Sequence, residues 1–201
     1  GTIMGLYLRD ALAELKSQEF TARARSGLAR QFDIANTSFR NLSAEDLRLA
    51  IKSGGFLLSA PLARADSFKT KVYQLFDLSG RDVKVSNFQK RTDVIANNLL
   101  SKAAAFGDTR LTGVSADNFE LSDLPTQTNA ILRNVRADSL RNSDTRFTDL
   151  YAKKITIDDT PAATLIQSDN VSFTGLNSSG ASLGSVNVAG VRLTIRQGRL
   201  E

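Results

Sequence analysis

From Thr109 to Asp159 the apolar residues fall in pairs two positions apart, and the pairs recur every five residues. Counted in quintets from Thr109, with one extra residue at Asn129 shifting the frame, the first and third places are apolar in 16 of 20 cases. The other three places are apolar in 2 of 30. Residues one and three of an extended segment point the same way, so each quintet offers two side chains to a core. The inward set is Val135, Ala137, Leu140, Phe147, Leu150, Ala152, Ile155 and Ile157, with Asn142 among them. Neither a helix of period 3.6 nor a flat strand of period 2 holds such a phase, so the chain must bend every five residues. A fixed short repeat of this kind signals a solenoid, whose coils bury their faces by stacking on neighbours.

The first half reads differently. Leu8, Leu12 and Leu15 recur at helical spacing, with Ala22 and Leu28 continuing loosely, which predicts a helix over 5–32. A second helix is expected over 44–53, with Ser43 as N-cap, Asp46 three residues on and Gly54-Gly55 ending it. Residues 56–63 read as a buried connector, and Phe68 to Phe76 suits either a strand or a helix. Val83, Val85 and Phe88 alternate as a strand does. Asp93 stands as a cap for a third helix over 94–106, on Ile95, Leu99, Ala103 and Phe106, with Gly107 closing it.

Beyond Thr160 the five-residue register weakens, residues 175–185 read as a Gly/Ser-rich loop, and Val186, Val188, Val191, Leu193 and Ile195 alternate in a terminal strand over 186–200. The resulting layout is a helical segment at 1–56, a mixed connector at 57–108 and a β-solenoid at 109–201. Over about residues 109–174 the quintets resemble the pentapeptide-repeat family. That resemblance implies a mainly β fold, a right-handed, four-sided β-solenoid with about 20 residues per coil. The bulky Val135, Leu140, Leu150 and Ile155 at the first inward place, with Ala137 and Ala152 at the second, invert the family's usual sizes.

Composition narrows the chemistry. The 201 residues contain no Cys and no His, which excludes thiol nucleophiles, disulfides, Cys/His zinc sites and any Ser-His-Asp triad. No apolar run reaches the roughly 20 residues a spanning helix needs, and no cofactor or metal site is expected. Placement at the cell surface or outside the cell is expected ahead of the cytoplasm, since absence of Cys suits export. No signal peptide opens the sequence, and the start at Gly1 suggests a processing site or an artificial boundary.

A net charge of +5 leaves anionic polysaccharide and nucleic acid as partner classes. Asp138, Asp158 and Asp159 would hold a cation, with Arg136 nearby as base, in a polysaccharide-cleaving β-helix, Asp138 stacking on Asp158 closely enough for the two to share a calcium ion. Turn chemistry is the commoner use of such aspartates. On a four-sided coil Arg136, Arg141 and Arg146 lie on successive faces, so they ring the solenoid and give no phosphate track, which argues against nucleic acid.

The N-terminal helices are expected to cap one end of the coil. The C-terminal strand has no cap, so Val186, Val188, Val191, Leu193 and Ile195 form the candidate interaction edge. Either more chain follows Glu201 or another subunit pairs there. The expectation is a non-enzymatic structural or adhesive protein, a subunit or fragment of a larger assembly that self-associates.

Overall fold

Every element of the computed structural model is a strand, and over most of the chain each strand turns straight back on the one before it. Residues 2–16, 19–34, 37–69, 73–106, 108–196 and 199–200 are described. The strands are β1 (Thr2–Lys16), β2 (Glu19–Ile34), β3 (Thr37–Lys52), β4 (Gly55–Lys69), β5 (Tyr73–Phe88), β6 (Arg91–Phe106) and β7 (Thr109–Leu124). They continue with β8 (Gln127–Asn142), β9 (Thr145–Asp159), β10 (Thr164–Phe173), β11 (Gly175–Ser178), β12 (Ala181–Leu183), β13 (Val186–Arg196) and β14 (Arg199–Leu200). One sheet runs in chain order from β1 to β10 and on to β13 and β14, while β11 pairs with β9 and β12. All pairings are antiparallel.

The expected helices over 5–32, 44–53 and 94–106 are therefore corrected to strands. Ala, Leu and Arg favour helix intrinsically, but pairing with neighbours overrides that preference. Asp46 is no helix-capping partner but a strand residue at φ 48. The reading of 175–185 as a loop gives way to the short pair β11–β12 around Ser179-Gly180, and the connector at 56–63 lies within β4. Phe68 and Phe76 both lie in strands, and Gly107 lies outside the described residues.

The five-residue period survives inside these strands and spans nearly the whole chain. In β4 the buried apolar residues are Leu58, Ala60, Ala63, Ala65 and Phe68; in β7 they are Val114, Ala116, Phe119 and Leu121. Steps of two alternate with steps of three. A flat strand would swing to the opposite face at each step of three, so the backbone must turn there to keep facing inward. The turning positions carry left-handed backbone at intervals of 36 residues: Gly5, Asn41, Asp77, Gly113 and Asp149 in one series, Asp10, Asp46 and Asp82 in another. Asn98, Asn134 and Asn170 repeat the second corner from the even-numbered strands. Gly, Asn and Asp are the residues that adopt this conformation at least cost. The second corner changes strands between β5 and β6, where the pairing register also shifts.

Two corners fold each strand from β1 to β9 into three walls. Phe20 and Phe56 belong to one row through Ile51, and Phe32 lies twelve residues further along β2. Extended, that separation would be about 40 Å. The rings of Phe32 and Phe56 instead lie 5.4 Å apart, so the first and third walls meet across the interior. Phe68 of the third wall likewise meets Phe119 of the first at 6.1 Å. Both contacts join a third-wall residue to a first-wall residue two or three strands later, so the walls close with a stagger.

Rows of opposed residues fill the interior. One runs Ala13, Ala22, Leu49, Leu58, Val85, Val94, Leu121, Ala130, Ile157, Ile166, Leu193 across eleven strands. The middle wall presents small residues, with Leu8, Gly27, Ala44, Ala63 and Gly80 in one row. The space is narrow: a Cβ on Gly27 would stand 2.6 Å from the Leu47 side chain. The third wall stacks Phe32, Phe39 and Phe68, with ring separations of 6.0 and 4.8 Å. Each fully buried Phe contributes about 1.5–3 kcal/mol of transfer free energy.

The winding differs from the expectation. A right-handed, four-sided coil of about 20 residues would stack parallel strands, whereas here each three-walled pass ends in a hairpin and the next runs backwards. The strand pairing also crosses residues 56 and 108, the bounds set from the sequence. The hairpin at Gln89-Lys90 holds both residues at positive φ, 50 and 67, as in a two-residue turn that prefers Asn-Gly. Gln89→Asn with Lys90→Gly is expected to raise stability by about 1 kcal/mol, read as a higher urea midpoint.

Candidate functional site

Three sets of polar side chains accompany the fold. The first lies along the corners. Asn41 donates to Asp66 (2.6 Å), Lys102 lies 3.8 Å from Asp77, and Thr174 donates to Asp149 (2.6 Å) along one corner. On the other, Asn97 donates to Asp82 (3.3 Å), Asn118 to Asn97 (2.7 Å), Asn134 to Asp117 (2.8 Å) and Tyr151 to Asn134 (3.1 Å). Apart from the bond between the register partners Asn97 and Asn118, these contacts tie successive strands where ladder pairing skips a residue.

The second set lines the free margin of the first wall. Its row begins with Leu15, Phe20, Ile51 and Phe56 and then turns polar with Asn87, Thr92, Asp123, Thr128, Asp159 and Thr164. Across successive hairpins Asn87 donates to Thr92 (2.8 Å), Thr128 to Asp123 (2.6 Å) and Thr164 to Asp159 (2.6 Å). Thr92 and Asp123 are buried, so these bonds satisfy groups removed from water.

The third set is a stripe of arginines on the outer face of the third wall. Arg110 of β7 stands opposite Arg141 of β8, and Arg141 opposite Arg146 of β9. All three are exposed. This corrects the expectation that arginines five apart ring the molecule. A hairpin folds Arg146 back beside Arg141, while Arg136 sits on the middle wall over the Tyr151 ring at 5.2 Å.

The candidate acids do not come together. Asp138 lies at a corner beside Gly113, Asp158 opposite Asn129 and Leu165, and Asp159 accepts from Thr164. Asp138 and Asp158 therefore do not stack, because the chain reverses between them. Among the described residues no group of three or more carboxylates is placed to hold a metal ion.

Of the inward residues named from the sequence, Val135, Ala137 and Ala152 are buried, and Leu140, Phe147, Leu150, Ile155 and Ile157 are half-buried on the inner face. The Asn142 amide donates to Thr109 at 2.7 Å, at the rim of the third wall. The edge residues Val186, Val188, Val191 and Leu193 stand opposite Phe173, Val171, Ser168 and Ile166, on the inner face of β13. Ile195 stands opposite Thr164; nothing of its side chain is described.

The two ends of the stack are unlike its body. Among the described residues β1 pairs only with β2, and Leu6, Tyr7, Leu12 and Leu15 on it are exposed. At the opposite end Leu183 and Val188 are exposed. The 36-residue spacing that relates these ends was readable in the recurring Gly, Asn and Asp at positions 5, 41, 77, 113 and 149. No described helix is long and apolar enough to cross a membrane. A scan against protein-family models matches none, and comparison with curated proteins and with solved structures finds no similar chain.

Proposed function

We propose that this chain is a non-enzymatic structural subunit or fragment of a larger filamentous or surface-exposed assembly, extended by stacking copies head to tail. The observation that carries this reading is the equivalence of the two end strands. β13 repeats β1 at a separation of 180 residues, five intervals of 36. Leu6, Leu8, Ala11, Ala13 and Leu15 thus correspond to Val186, Val188, Val191, Leu193 and Ile195, while the second corner, at Asp10 in β1, falls at Asn170 opposite Ala189 at the other end. The two strands run in the same direction through the alternating sheet.

Translating one copy along the stack sets β13 beside β1 of the next, inner residue on inner residue as far as Leu193, beyond which β14 pairs with the edge. A head-to-tail contact that does not close generates a filament in place of a dimer. The β1 end fits it as well: among the described residues Leu15, on the inner row of the first wall, is 73% exposed.

Electron microscopy with sedimentation velocity tests this. Linear oligomers growing with concentration are expected, and Leu6→Lys or Val188→Lys, each placing a charge on one end, is expected to leave monomers. A wild-type chain that stays monomeric at high concentration would overturn the reading, as would oligomers indifferent to both substitutions.

A further inference from the structure

We propose that the outer face of the third wall binds a linear anionic polysaccharide through Arg110, Arg141 and Arg146. The three are register partners on adjacent strands, so their backbones lie about 4.8 Å apart per step. Like charges directly opposite each other on a sheet destabilise it. No ion pair relieves them: the described salt bridges involve other cations, and the one bond shown is from Arg141 Nε to the Ser143 carbonyl at 3.4 Å. Three exposed guanidinium groups without a carboxylate are an unfilled set of planar, two-pronged donors, suited to carboxylate or sulfate.

The surroundings choose among polyanions. The neighbouring outward row holds Thr112, Ser139 and Thr148, and the Thr112 and Ser139 hydroxyls lie 2.8 Å apart. A line of cations, one per strand, beside a line of hydroxyls matches a chain carrying one acid group per sugar with hydroxyls between. Nucleic acid fits less well. Across β6–β9 neither row holds an aromatic side chain on which a base could stack, and a flat wall offers nothing to enter a duplex groove.

The test uses the full chain carrying Leu6→Lys, so that loss of stacking and loss of binding are read separately. Isothermal titration with polygalacturonate and with heparin is compared for this protein and for Arg110→Gln/Arg141→Gln/Arg146→Gln. At least a tenfold loss of affinity is expected, with a melting temperature equal to or above the parent's because mutual repulsion is removed. Arg23→Gln/Arg48→Gln/Lys84→Gln removes the same charge from another face and is expected to bind normally. Equal losses in both triple variants, no binding by the parent, or tighter stripe-dependent binding to DNA would each overturn the proposal.

Discussion

Phe68→Ala is expected to lower the unfolding free energy by about 3–5 kcal/mol, the usual toll of truncating a fully enclosed aromatic. Phe68 is 1% exposed and touches both Phe39, 4.8 Å away on its own wall, and Phe119, 6.1 Å away on the facing wall. Its removal opens a cavity where the walls close, and neither corner-bound wall can move in freely to fill it. Urea denaturation followed by circular dichroism measures the loss. Phe88→Ala, at a residue 37% exposed, is expected to cost under about 1 kcal/mol. Similar costs at both positions would mean that the walls do not meet.

Gly113→Val is the second large effect, with an expected cost of about 2–4 kcal/mol, since a β-branched residue is poorly accommodated in left-handed backbone. Gly113 sits at φ 59, and a Cβ there would lie 2.0 Å from the Asp138 carboxylate. Its counterpart one repeat later, Asp149, has the same backbone but faces Thr174, whose hydroxyl bonds it. Copying that pair, Gly113→Asp with Asp138→Thr is expected to recover most of the loss. Thermal melts of the three proteins decide it: a valine variant melting with wild type would show that no corner exists at 113.

The local rule was legible in the sequence; the direction of travel was not. Inner residues flanking a corner are three apart, as Ala137 and Leu140 are. Inner residues flanking a two-residue hairpin are also three apart, as Asn142 and Thr145 are. A bend and a reversal therefore leave the same spacing, and both use residues at positive φ, Asp149 at a corner and Ser143 at a turn. Only the turn at Pro125-Thr126 broke the frame, and it appeared as the extra Asn129. Chemistry that depends on which residues meet was hidden for the same reason. Arg141 and Arg146 adjoin only if the chain reverses, and Asp138 and Asp158 adjoin only if it does not. Near the N terminus the same rule was masked by leucines, because Leu8 faces the interior while Leu12 and Leu28 face outward, and together they imitate a helical stripe.

The antiparallel return also has a mechanical consequence. Every strand from β2 to β10 lies against its immediate predecessor in sequence, so almost all long-lived bonds join segments close along the chain. Such a molecule can zip up one hairpin at a time from any established edge, without first closing a long loop. Pulled from its two extremities, it would give way rung by rung, like knitting unpicked from the last row, and reel back in by the same steps.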